Sequence, residues 1–360
     1  MIDAWKGLGA MPSGARLERL KSSPNYRDGR FVNAVPMQPW AWSSIKRWLF
    51  EGSDYRVPAE TPPVAARTRA DFSDPPAPGL RVTWLGHSTF VLEIDGRRFL
   101  VDPQFSRDNS PTRFFGQERF FPAPLPLAEA PKLDAVLVSH DHHDHLDMSA
   151  AIALAERGER FIVPLGVGAH LAYWGVPEER ITELDWWQSV PLGDVAVHCT
   201  PARHFSGRSL WDRDATLWSG WAVVGPQHRA FYSGDSGMFP GFGEIGERLG
   251  PFDVALWDTG AYDRTWADYH MGPEQAVAAH QAVQAKRMVP LHWATFNLAI
   301  HGWTEPAERV LVAAEAAGVE LALPQPGQTI DVAEPPKPER WWPDVPWQSA
   351  ADHPIVSSGL

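Results

Sequence analysis

The period of the apolar positions changes along the chain. Up to residue 78 it is weak, and Pro, Gly and Ser punctuate the sequence. From Gly79 onward it becomes strong. "TFVLEI" alternates apolar and polar residues, as a strand does, and Asp95-Gly96 is a hairpin turn signal leading into "RRFLVDP". A buried strand is expected at "LDAVLVSH" and others at "RFIVPLG", "DVAVHCTPARH", "LWSGWAVVGP", "RAFYSGDSG", "DVALWDTG" and "RMVPLHW". Helical spacing appears in "DMSAAIALAERG", near "VGAHLAYWG", in "GPEQAVAAHQAVQAK" with Pro273 in its first turn, and in "EPAERVLVAAEAAG". Strands interleaved with helices predict an α/β domain of sheets covered by helices.

The same pattern divides the chain into three parts: an extension over 1–78 packed on or beside the core, a main domain over 79–332, and a Pro/Trp-rich tail over 333–360 lying along the surface. Within the extension, "WAWSSIKRWLFEG" places Trp42, Ile45 and Leu49 on one helical face and Lys46 and Arg47 on the other. That is a helix docked on the core or an interfacial helix.

Composition narrows the functional classes. A 44% hydrophobic fraction supports a sizeable core, and a formal charge of −12 disfavours nucleic acid, whose phosphates call for a basic face. The first 50 residues nevertheless carry eight Lys/Arg against three acids, an excess suited to peripheral contact with a membrane or a partner. The single cysteine, Cys199, allows no internal disulfide, and no signal peptide or apolar 18-residue span is seen. A cytoplasmic or membrane-peripheral protein is expected. The 18 Trp, many in loop-like sequence, either stiffen surface loops or form a lipid-facing rim.

The strongest chemical signal is "VLVSHDHHDHLDMS" behind a buried strand. In an extended segment His140 and His142 point the same way and can grip one ion, while Asp144 and His145, at the turn, can face a second. Imidazole and carboxylate suit Zn²⁺ and similar ions. Other strand ends supply His204, Asp235 and His292, and the Asp235 carboxylate can bridge.

This H-x-H-x-D-H motif resembles the signature of the metallo-β-lactamase superfamily. With "WLGHSTFVLEIDGRRFLVDPQFS", "TPARHFSGRSLWDRDATLWSGW", "FYSGDSGMFPGFGEIGERLGPFDVAL", "GAYDRTW" and "VPLHWATF", the chain from about 80 to 300 is similar to the N-acylphosphatidylethanolamine-hydrolysing phospholipase D branch. The resemblance implies an αββα sandwich of two mixed sheets flanked by helices, and two Zn²⁺. It implies that His140, His142 and His204 hold one ion, that Asp144, His145 and His292 hold the other, that Asp235 bridges them, and that Asp102 steadies a ligand from behind. His143 and Gly207 replace a tyrosine and a lysine of animal members, and Asp258 stands where those have an apolar or neutral residue.

The chemistry so implied is phosphodiester hydrolysis by a hydroxide shared between the metals. Asp144 is a catalytic candidate through its metal. His270, just before a helix N-terminus, is a second, and His87 and Arg208 are candidate substrate contacts. Phe114, Phe115, Phe120 and Phe121, with Leu125 and Leu127, can line an acyl groove or form a satellite cluster under a loop. The expected partner is a lipid or amphiphilic phosphodiester, and a homodimer is allowed. A lactonase or esterase on the same centre, a di-iron redox site and a non-catalytic metal-binding scaffold are the competing readings.

Overall fold

The computed structural model describes residues 4–39, 42–72, 74–110 and 116–360. The extension contributes helices α1 (Ala4–Gly7), α2 (Gly14–Lys21) and α3 (Trp42–Phe50) and a small hairpin, β1 (Tyr26–Arg27) and β2 (Arg30–Phe31). The hairpin turns at Asp28-Gly29, both with positive φ.

Two seven-stranded sheets follow. The first holds β3 (Leu80–Trp84), β4 (Phe90–Ile94), β5 (Arg97–Val101), β6 (Ala135–Leu137), β7 (Phe161–Pro164) and β8 (Ile181–Leu184) in that order. The second runs β9 (Ser189–Leu192), β10 (Val195–Thr200), β11 (Gly220–Val224), β12 (Arg229–Tyr232), β13 (Phe252–Asp258), β14 (Ala285–Leu291) and β15 (Glu320–Leu321). The last strand, β16 (Thr329–Asp331), returns to the first sheet beside β3. Each sheet has an antiparallel half and a parallel half: β16-β3-β4-β5 then β5-β6-β7-β8, and β9-β10-β11-β12 then β12-β13-β14-β15. Parallel neighbours need crossovers, supplied by α4 (Met148–Glu156), α5 (Gly168–Tyr173), α6 (Gly241–Leu249), α7 (Pro273–Ala282) and α8 (Glu305–Ala317).

The strand sequences explain the four layers. Val82, Trp84, Phe90, Leu92, Phe99 and Val101 meet Val197, Cys199, Trp221, Val223, Tyr232 and Leu256 between the sheets. The alternate residues Val91, Leu100, Val136 and Phe161 turn outward to meet Leu154 of α4 and Leu171 of α5, and on the other side Phe231, Ala255 and Trp257 meet Phe242, Val277 and Val310. Strands buried on both faces read as nearly unbroken apolar runs. Each fully buried Phe or Leu contributes about 1.5–3 kcal/mol. The αββα sandwich expected from the motif is the observed architecture.

Both flanking segments pack on this core. Leu20 and Phe31 are buried within the inter-sheet cluster, and Arg16 pairs with Glu178 and Glu183. From the tail, Trp341 stacks on Trp293 and Trp342 meets it edge-on, while Ser358 bonds Asp268. Trp186 and Trp342, read from their loop-like sequence as surface or lipid-facing, are buried, because each indole N–H finds an acceptor inside: Trp218 O and Glu308. Among the described residues no helix is long and apolar enough to cross a membrane.

Candidate metal centre

Parallel strands that end together bring their following loops to one edge. β5 leads to Asp102, β6 to the histidine motif, β12 to Asp235, β13 ends in Asp258 and β14 leads to His292. The antiparallel β10 delivers His204 to the same edge. Inside the motif, the amides of His145 and Leu146 both donate to the carbonyl of His142. The turn so closed swings Asp144 and His145 away from His140 and His142. Asp147 then caps α4 by accepting from the Ser149 amide, and it also accepts from the amides of Phe105 and Ser106. Gly234 sits at φ +60 where an added Cβ would collide with the carbonyl of Ser219, so only glycine lets the chain present Asp235 here.

Two quartets built on the histidine motif result, and a third group, of Asp235, Asp258, His270 and His292, lies beside them. The ligating atoms of His140, His142, His204 and Asp235 lie within 4.8 Å of one another, and so do those of His87, Asp144, His145 and His292. Oδ2 of Asp235 stands between the two groups: 3.8 Å from Nε2 of both His140 and His204, 3.0 Å from Nε2 of His145 and 3.1 Å from Nε2 of His292. The seven residues expected to hold metal are therefore assembled in one place, with Asp235 shared.

On three of the histidines the outward nitrogen is already engaged. His145 Nδ1 donates to Asp102 (2.8 Å), His204 Nδ1 to the carbonyl of Tyr269 (2.9 Å), and His140 Nδ1 to Ser139 Oγ (3.0 Å). Asp102 further accepts from the Ser139 amide, the Ser139 hydroxyl and the Tyr232 hydroxyl, each at 2.6 Å. This arrangement leaves bare Nε2 lone pairs on His140, His204 and His145, all turned inward. His140 Nε2 lies 2.8 Å and His204 Nε2 3.3 Å from His142 Nδ1, more contacts than one proton can satisfy. His145 Nε2, His292 Nε2 and Asp235 Oδ1 are buried with no hydrogen-bond partner. Buried acceptors aimed at one another call for a cation, and imidazole with carboxylate is the donor set of Zn²⁺ and its neighbours.

The charges follow this geometry. Burial, then the neighbouring His145, holds His140 well below the ordinary histidine range, and burial does the same to His204. Burial would raise the Asp235 carboxyl, but His145 and His292 hold it well below the usual range. His292 is pushed the other way, to about 10, because Asp235 and Asp258 outweigh its burial. The cluster thus draws positive charge inward, and bound divalent ions would supply it.

Several sequence expectations are corrected here. His87 is fully buried and donates through Nε2 to Asp144 (3.0 Å), with its own amide held by Thr295, so it belongs to the second quartet rather than to an open substrate face. Burial and the neighbouring His292 lower it to about 3. Arg208 is likewise buried. Its guanidinium donates to the carbonyls of Gly7, Asp141 and Leu146 and lies over Trp174, clamping the motif loop to α1. Phe121 and Leu125 are buried core residues and do not line a groove, while Phe120 packs half-buried against the inter-sheet cluster. Phe114 and Phe115, and the side chains of Trp42 and Ile45, lie outside the described residues. His270 does reach the site: Nδ1 is 2.8 Å from Asp258 and 4.0 Å from Asp235, and the ring is partly open to solvent.

Other residues contribute to the site without a sequence signal of their own. Ser139 and Tyr232 have no motif of their own, and Asp258, the last residue of β13, is marked in the sequence only by its difference from animal members. Asp141, the outward residue of the motif, accepts from His170, Thr216 and the Gly207 amide and anchors the loop. Gly207 sits at φ +142, a conformation a lysine would strain to adopt, which accounts for the glycine here.

Comparison with known proteins agrees with the geometry. The family model described as "Beta-lactamase superfamily domain" matches residues 97–293. An uncharacterized protein of Mycobacterium tuberculosis is 46% identical over 336 residues, covering 89% of this chain and 88% of its own. N-acyl-phosphatidylethanolamine-hydrolyzing phospholipase D 1 of Caenorhabditis elegans is 38% identical over 258 residues, covering 68% and 72%. Among solved structures, isothiocyanate hydrolase from Delia radicum gut bacteria superposes with a TM-score of 0.56 at 19% identity, over 69% of this chain and 98% of the other, which shows the shared fold. With the two quartets at the shared sheet edge, these matches establish that the chain belongs to the metallo-β-lactamase superfamily of metal-dependent hydrolases, and that it resembles the N-acylphosphatidylethanolamine-hydrolysing phospholipase D branch.

Proposed function

We propose that this protein is a dinuclear zinc phosphodiesterase of phospholipase D type, cleaving N-acylphosphatidylethanolamine or a related amphiphilic phosphodiester. The observation that carries the reading is the position of Asp235 Oδ2 between two imidazole groups, the arrangement that two ions sharing one carboxylate require. His140, His142 and His204 would hold one ion, and Asp144, His145 and His292 the other. Such a pair activates water near neutral pH and neutralises phosphoryl oxygens. Two Zn²⁺, the carboxylates of Asp144 and Asp235 and a hydroxide sum to about +1 among the proposed ligands alone, and the two ions would neutralise the charge of a bound phosphodiester. The relation to the C. elegans enzyme supports the lipid class. Peripheral membrane contact belongs to the same reading. Leu49 and Phe50 at the end of α3 are 65% and 79% exposed, and Leu210 and Trp211 project from the loop that Arg208 ties to the motif.

The buried Phe121 and Leu125 keep a second reading alive, an ester hydrolase or lactonase with a smaller substrate, because the expected acyl groove loses two of its walls. One experiment separates the two: hydrolysis of N-acylphosphatidylethanolamine in ¹⁸O-water. Phosphodiester cleavage puts label in phosphatidic acid and none in the N-acylethanolamine. Label in a released fatty acid would hand the assignment to ester hydrolysis.

A further inference from the structure

Asp258 is the last residue of β13 and is fully buried. Among the described residues no Arg or Lys side chain bonds it. Its Oδ2 receives His270 Nδ1 at 2.8 Å and its Oδ1 lies 3.7 Å from His292 Nδ1. The carboxylate is itself held in place, taking weak bonds from the amides of Ser236 and Gly260, while its own amide donates to Ser233 Oγ. A buried carboxylate with imidazoles and two weak amide bonds about it, and no Arg or Lys among the described residues to pair it, is costly, so its place calls for a reason.

His270 gives that reason. It follows Tyr269, whose carbonyl receives His204 Nδ1, so its backbone is pinned to the first quartet. Its ring lies 5.0 Å from that of His204 and 5.1 Å from that of His292, with Nδ1 4.0 Å from Asp235. A neutral imidazole carries one proton, and the acceptor at Asp258 places it on Nδ1. Nε2 then presents a bare lone pair, and no described residue bonds it.

We infer that Asp258 is a positioning residue: it sets the tautomer and the orientation of His270, so that Nε2 offers an acceptor to the O–H of the reacting water or of a substrate hydroxyl. The inference rests on the phosphodiesterase reading above for its activity arm alone.

The test uses the full chain loaded with zinc, as wild type, Asp258→Asn, His270→Ala and the double variant. Imidazole ¹⁵N NMR should find His270 protonated at Nδ1 in the wild type and at Nε2 in Asp258→Asn. Elemental analysis should find unchanged zinc in Asp258→Asn. With N-acylphosphatidylethanolamine as substrate, kcat should fall about 10²- to 10⁴-fold in Asp258→Asn with KM nearly constant. In the His270→Ala background, adding Asp258→Asn should cost less than about threefold more. Three results would each overturn the inference: an Nε2–H tautomer in the wild type, loss of zinc in Asp258→Asn, or an equally large effect of that substitution without His270. Should no phosphodiester be hydrolysed, the NMR and zinc measurements still decide the role of Asp258, while the function reading fails by itself.

Discussion

Replacing Asp102 by Asn tests how the second half of the site is built. The two side chains have the same shape, and asparagine tolerates the left-handed backbone of this position (φ +41), so the fold has no other reason to change. Four donors converge on the carboxylate: the Ser139 amide on Oδ1, and the Ser139 hydroxyl, His145 Nδ1 and the Tyr232 hydroxyl on Oδ2. An amide cannot accept from all four. With its NH₂ in the Oδ1 place it opposes a backbone N–H that cannot rotate; in the Oδ2 place it opposes His145. Either way one buried donor is stranded, at about 1–3 kcal/mol, and the remaining bonds lose their charge assistance, at about 0.5–1 kcal/mol each. The total is about 2.5–6 kcal/mol, a large share of the 5–15 kcal/mol typical of a folded protein. Zinc affinity at the ion held by His145 should also drop about 10- to 100-fold, whereas the ion held by His140, His142 and His204 should be less affected. Urea unfolding of the metal-stripped protein measures the first effect, and a chelator competition resolving two ions measures the second. Stability within about 0.5 kcal/mol of wild type, with both ions bound as tightly as before, would refute the argument.

Asp235→Asn should lower occupancy of both ions together in elemental analysis; full occupancy with intact activity would assign the bridge elsewhere. Arg208→Ala should lower the melting temperature, because the carbonyls of Gly7, Asp141 and Leu146 lose their donor; an unchanged melting temperature with a raised KM would return Arg208 to the substrate. Glu in place of both Leu49 and Phe50 should weaken binding to anionic vesicles without changing the melting temperature, and equal binding would remove that face from the membrane. Asp263 is raised by its burial but lowered further by His353 and Arg47, so its folded pKa lies below the ordinary 3.8. Its contribution is then present above that value and fades as pH falls through the folded pKa. Asp263→Asn should destabilise the protein at pH 7 and flatten its loss of stability below about pH 3.8, as followed by tryptophan fluorescence; an identical acid profile would show the ion pairs to be inert.

Much of this protein is written in local pattern. Apolar runs of four to seven residues bounded by turn signals mark strands because both faces of each sheet are covered, and the H-x-H-x-D-H segment names its candidate ligands because alternation in an extended chain is a local property. The hairpin at Asp28-Gly29 likewise carries the ordinary turn signal in its sequence. What local pattern does not contain is which distant groups meet. His87 and Arg208 carry functional-looking side chains, yet the fold spends them on Asp144 and on three backbone carbonyls. Phe121 and Leu125, apolar in a long loop, read alike as groove or core, and only burial separates the two. Tyr232 and Ser139 gain their meaning from Asp102, and Asp258 from His270, across gaps of 130, 37 and 12 residues. Those pairings depend on where parallel strands end together, a consequence of sheet order that no stretch of sequence states by itself.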